Sequence, residues 1–218
     1  MRKNLIIVLC VVFVLLSMAV AALILVRPMV LDSRRRDFQH LLLREIQAGN
    51  DTTVLPGIPA VAGEGAAFGE LSLGPADETQ AIIQGCGVLR IPNLDLCVPV
   101  SQGPDRYALR AGAVWDCQSA AFGDAEVCTI FGYRLSDSQW PLNRLDEVKE
   151  GDEITLSSMD GTDTVYTVLR CEVTGARDAA EKMAAFQEEQ GLILVSDLPA
   201  GLRSHRLLIF AAVDTSVG

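Results

Sequence analysis

Histidine is scarce in this chain. Its 218 residues include two, His40 and His205, which leaves little room for imidazole catalysis or a histidine-rich metal site. Six cysteines are present, Cys10, Cys86, Cys97, Cys117, Cys128 and Cys171, and no two stand at a CxxC spacing. That absence argues against a zinc site, and no cofactor is implied by any motif. Positive charge is also in short supply. The chain has 18 Lys and Arg against 28 Asp and Glu, a formal net charge of −10. A phosphate backbone needs a basic surface, so this balance argues against nucleic acid as a partner.

The charge is unevenly placed. Residues 1–48 carry seven bases and three acids, 49–80 carry five acids and no base, and 81–218 carry eleven bases and twenty acids. Leu5 to Val26 is a run of 22 residues without a charge, in which Ser17 is polar. At about 1.5 Å per residue it is long enough for a bilayer core of about 30 Å. A cleaved signal peptide is the alternative, with Ala19-Val20-Ala21 as a small-residue site, but the run is long for a signal core. The reading is a cytoplasmic tail over 1–4 and a transmembrane anchor over 5–26. Arg2 and Lys3 flank one side, and Arg27 and Arg34 to Arg36 the other, so the flanking charge alone favours the C-terminal side inside.

Ser33 to Ala48 is predicted to be a juxtamembrane helix (33–48), capped by Ser33 and ended by Gly49, with Phe38, Leu41, Leu42 and Ile46 on one face. His40 is read as a surface residue of this helix. Residues 49–80, rich in Gly, Ala, Pro and acid, read as a flexible linker. From Ala81 the pattern turns to short strands. Val88 to Ile91 and Leu94 to Val100 surround Pro92-Asn93, and Val127 to Phe131 is apolar. Gly151-Asp152 leads into Glu153 to Leu156, and Asp160-Gly161 is a hairpin signal. In Thr164 to Thr174 the alternation puts Val165, Thr167, Leu169, Cys171 and Val173 on one face. Asp178 to Gln190 reads as a helix with Ala179, Met183 and Phe186 on its apolar side. Many short strands with few helices indicate an all-β barrel.

The last stretch, Gly191 to Val213, is strand, loop, strand. Pro199 and Gly201 break it, Asp197 ends the first strand and Arg206 opens the second. Here the chain resembles the sortases, cell-surface cysteine transpeptidases. In that family a Thr-Cys pair ends the first of these strands and an Arg opens the next; here Ser196-Asp197 and Arg206 occupy those positions. The family His follows a Gly after an apolar strand; here Ile130-Phe131-Gly132-Tyr133-Arg134 puts Tyr133 in its place. Gly87 to Val100, with its Ile-Pro, and Trp140 to Leu156, with its Gly-Asp, are similar to two further family segments.

The resemblance implies a mainly β fold over 81–214, a closed barrel of about eight strands with short helices behind an N-terminal transmembrane helix. The extra helix before the Asp197 strand and the helix at 33–48 resemble class B. It also implies an extracellular domain on a single-pass anchor in the cell membrane, against the flanking charge, and partners that are sorting-signal peptides or surface proteins of a cell wall.

The family-equivalent site is Tyr133, Asp197 and Arg206. Transpeptidation needs a thiolate, an acid or base for the leaving amine and a cation for the oxyanion. Arg206 can supply the last. A carboxylate is a poor nucleophile toward an amide, and a phenol titrating near 10 is a poor substitute for an imidazole near 6.5. His205 neighbours Arg206 on a strand and should face away from it. Cys128 and Cys171, mid-strand among apolar residues, read as buried inert thiols. Cys86 and Cys97 flank a turn and Cys117 is near Trp115; in an oxidising exterior some of these could pair. The expectation is an inactive sortase-fold protein that binds or scaffolds. Its rival is a working transpeptidase or hydrolase with an unusual nucleophile.

Overall fold

The computed structural model describes residues 12–13, 15–18, 20–22, 36–56, 80–103, 108–134, 140–198 and 204–213. The chain divides into two compact units, Met1–Phe38 and Gln39–Gly218. In the first, the described residues between 12 and 22 are helical. Their apolar side chains, such as Phe13, Leu16 and Met18, are exposed. No helix among the described residues is long and apolar enough to cross a membrane. The expected span over 5–26 and its arginine flanks lie largely outside the described residues.

The second unit opens on helix α1 (36–47 in all), which ends at Gly49, where φ is +82°. Its buried positions in this unit are Gln39, Leu42 and Ile46. Leu41, expected on the apolar face, is 39% exposed, and His40 is exposed as expected. Ile46 lies so close to Gly85 that a Cβ there would collide with it. Glycine at 85 is therefore what lets α1 seat on the sheet.

The sequence read 49–80 as a linker, yet Thr52–Pro56 forms strand β1, antiparallel to the start of β2 (Gln80–Ile91), with Thr52 opposite Gln84 and Pro56 opposite Gln80. Among the described residues β2 before Gly85 pairs with β1 alone, and the Thr-Thr-Val run suits a pleated edge. Residues 57–79 lie outside the described residues.

The remaining strands are β3 (Leu96–Gln102), β4 (Ala113–Trp115), β5 (Cys128–Gly132), β6 (Glu153–Ser158), β7 (Asp163–Gly175), β8 (Gly191–Leu198) and β9 (His205–Val213). Their order is β2-β3-β4-β5-β8-β9-β7-β6, and β6 pairs back onto β2. Eight strands thus close a barrel, as expected. The β3–β4 and β5–β8 pairs are parallel and the other pairs are antiparallel.

The expected turns are in place. Pro92–Leu94 is a 3-10 turn closed by Asp95 at φ 49°. Gly161, at φ +85°, turns β6 into β7. A helical segment does occupy part of the expected 178–190 helix, but α3 covers only Ala179–Ala184. A short helix, α2 (Ala108–Ala111), and a longer 3-10 segment over Pro141–Glu147 were not foreseen.

Both faces of β8 and β9 are buried. Registered neighbours share a face, so Ile130, Leu194 and Ile209 lie together on one side. On the other side are Ile193, Val195 and Phe210. The Phe210 ring packs against Phe186, centroids 5.0 Å apart, and the Arg170 guanidinium lies 4.2 Å above it.

The face of β7 differs from expectation. Tyr166 and Val168 are buried, while Val165, Leu169, Cys171 and Val173 are exposed. A bulge between Val168 and Arg170 breaks the alternation on which that expectation rested. Cys171 is therefore exposed rather than a buried thiol; its Sγ donates to Val148 O at 3.5 Å. Cys128 is buried as expected.

Candidate functional site

The parallel register of β5 and β8 sets Gly132 opposite Ser196, so Tyr133 leaves β5 beside Asp197. The antiparallel register of β8 and β9 sets Asp197 opposite Arg206. Three adjacent strands thus bring Tyr133, Asp197 and Arg206, the three positions singled out in the sequence, to one end of the barrel wall. His205 is exposed and faces away from Arg206, as strand alternation requires; its Nδ1 lies 3.0 Å from Ser204 Oγ.

Arg206 Nη1 lies 3.5 Å from Asp197 Oδ1, and the two side chains are 4% and 1% exposed. The same Nη1 donates to His205 O at 3.4 Å. Thr174, in register with Arg206 on β7, is also buried. Tyr133 is buried, and its backbone carbonyl accepts a hydrogen bond from Trp140 Nε1 at 2.7 Å. This bond ties the segment after β5 to the entrance of the 3-10 segment Pro141–Glu147.

Sequence reasoning passed over Arg134. Its side chain is buried, Nη1 donates to the Asp197 carbonyl at 3.4 Å, and Nη2 pairs with Asp146 at 2.9 Å. One guanidinium therefore meets the Asp197 carboxylate and a second meets its backbone. The available signal was an arginine placed directly behind a strand that ends in glycine, beside a position already marked as functional. Ser196 is a neighbour of a different kind: its Oγ is buried with no hydrogen-bond partner among the described residues.

The chemistry this arrangement offers is charge pairing in a dry place. The Asp197 carboxylate is buried and faces the Arg206 guanidinium. Breaking such a buried pair by removing one partner strands the other charge. An open pocket of about 750 Å³ lies farther along the same strands, lined by Asp116, Thr129, Met183, Phe186, Glu188 and Ile193 among others. Its lining includes none of Tyr133, Asp197 and Arg206. Ile193 is four residues from Asp197 on β8, about 13 Å along the strand. Among the described residues no group of three or more His, Cys, Asp or Glu is placed to hold a metal ion.

The fold recurs in solved structures. Sortase A from Corynebacterium diphtheriae superposes with a TM-score of 0.55 at 21% identity, over 86% of this chain and 85% of that one. The pilus-related sortase C of Group B Streptococcus gives 0.57 at 14% identity, over 85% and 90%. A sortase D5 transpeptidase of Clostridium perfringens gives 0.51 at 17% identity, over 60% and 79%. Identities this low carry the fold alone. No curated protein matches the chain. The sortase domain model matches residues 89–214, more than half of the chain and the barrel from the last residues of β2 onward. The chain belongs to the sortase family.

Proposed function

We infer that this protein is a sortase-fold module without transpeptidase activity, which binds or scaffolds sorting-signal peptides or surface proteins at a cell surface. The observation that carries the reading is the buried Asp197–Arg206 pair. At the family's nucleophile position stands a carboxylate, and the family's cation is engaged by it. Attack by a carboxylate on an amide would give a mixed anhydride, a far less stable acyl-enzyme than the thioester a cysteine forms. Tyr133, at the imidazole position, is a weak proton shuttle at neutral pH. Substrate would also have to displace Asp197 from Arg206 before the guanidinium could meet an oxyanion.

The anchor over 5–26 and the extracellular placement of the barrel are part of this proposal. They are supported by the uncharged run of 22 residues and by the family, whose members act at the cell surface. The resemblance to class B rests on the helix at 33–48 and the helix before the Asp197 strand, which is the six-residue α3.

The test is turnover of a sorting-signal peptide by the full chain, with an amine acceptor present. No cleavage and no transfer are expected, with peptide still bound. Turnover abolished by Asp197→Ala would establish the rival reading, a transpeptidase or hydrolase with a carboxylate at its centre. The double variant Asp197→Cys with Tyr133→His asks whether the frame around Arg206 remains competent.

A further inference from the structure

Strand β7 is longer than the barrel needs. Its first part, Asp163–Thr167, pairs with β6, and β9 joins it from Tyr166; β6 has no partner on it beyond Thr167, and from Arg170 to Gly175 it pairs with β9 alone. The chain beside β6 reaches one step further, through bonds from Val168 N to Asp152 O and from Gly151 N to Val168 O. Past that point the outer edge of β7 has no described strand beside it. The bulge at Leu169 and the charges of Arg170 and Glu172 lie on this edge, and between them apolar side chains stay uncovered. Leu169 is 39% and Val173 54% exposed, and Cys171 between them is exposed too. An uncovered apolar edge is a template for another strand.

The sequence of this edge, Leu169-Arg170-Cys171-Glu172-Val173, complements itself. In an antiparallel pairing centred on Cys171, Arg170 stands opposite Glu172 of the second copy, and Glu172 opposite its Arg170. Leu169 stands opposite Val173, and Cys171 opposite Cys171. Arg170 and Glu172 share one face of the strand, where they already pair at 2.8 Å within the chain. Across a two-fold axis the same charges alternate into a four-membered network. Shifting the register by one residue in either direction brings Arg170 opposite Cys171 or Cys171 opposite Glu172 and loses the match.

We propose that the free edge of β7 is a self-association surface, on which a second copy of this chain adds its own β7 antiparallel, with the two-fold axis at Cys171. The paired segment is short, well under the usual size of a permanent interface, so the dimer is a weak and exchanging one. The paired segment, Leu169 to Val173, stops one residue short of Thr174, which stands in register with Arg206.

The test is covalent trapping of the full chain. Cys10→Ser, Cys97→Ser and Cys117→Ser are introduced together so that Cys171 is the exposed thiol, and a short bis-maleimide is added. The expected product is a dimer whose cross-linked peptides join Cys171 to Cys171. It should fall several-fold with Glu172→Arg, which sets like charges opposite each other. It should fall likewise with Val173→Lys, an exposed change that leaves the barrel intact. The charge swap Arg170→Glu with Glu172→Arg should bring it back. Absence of a Cys171 dimer, a dimer unchanged by either single substitution, failure of the swap to restore it, or a cross-link from Cys171 to another protein would each overturn the proposal.

Discussion

At the scale of single residues, the Asp197–Arg206 pair asks for a measurement of coupling. Both side chains are almost fully buried, and truncating either one leaves the other charge in a dry site. Asp197→Asn and Arg206→Gln are each expected to cost about 3–5 kcal/mol of unfolding free energy, with the double variant losing much less than the sum. Additive losses in chemical denaturation would show that the two charges do not depend on each other. The thiols give a second prediction. Burial, and then the thiolate of Cys117, push Cys86 from 9.0 up to about 12. Burial also pushes Cys128 up. Each folded pKa lies above its unfolded value, so this contribution to stability is complete below about pH 8.5 and is lost as pH rises beyond it. Alkylation at pH 8 should therefore modify Cys97, Cys117 and Cys171, which are exposed, and leave Cys86 and Cys128 untouched until the protein is unfolded. Modification of Cys86 at the rate of Cys97 would contradict this.

At the scale of elements, Gly85 and Ile46 form a lock between β2 and α1. Gly85→Ala is expected to destabilise by about 1–3 kcal/mol through overpacking. Ile46→Ala should cost about 2–5 kcal/mol on its own through the cavity it opens. Together they should cost less than the sum, because the smaller side chain makes room for the added methyl; a thermal-melting cycle measures it. Neither partner was legible as a contact in the sequence, since glycine carries no hydrophobic signal and the intervening residues read as linker. Strand β1 was missed for the same reason: Thr52–Pro56 is short and runs into a Pro- and Gly-rich stretch. Strands β5, β8 and β9 were legible from apolar runs buried on both faces, and β2, β3, β6 and β7 from short runs bounded by turn signals. The face of β7 was misread because one extra residue at Leu169 changes the count. No local composition marks such a bulge, since its cause lies in the partner strand.

At the scale of the molecule, the site was legible because its residues stand at the ends of readable strands. Tyr133 follows β5, Asp197 lies near the end of β8 and Arg206 near the start of β9. Arg134 escaped because its role comes from a carbonyl 63 residues away. The proposed anchor gives the molecule an orientation, and protease added to intact protoplasts should remove the barrel; its protection there would reverse the orientation. The strand order has a kinetic consequence as well. β8 and β9, which come after every other strand in the chain, occupy the middle of the barrel wall between β5 and β7. β8 must also find β5 in parallel, bringing Cys128 beside Leu192. Until that late hairpin arrives, β5 and β7 have no neighbours on those sides, and the emerging chain holds unpaired strands that chaperones or other chains can engage. Folding is therefore expected to be slow and largely all-or-none, committed by the final hairpin rather than built up from the first strands. Refolding monitored by Trp140 fluorescence should show no native signal in a chain stopped before Gly191.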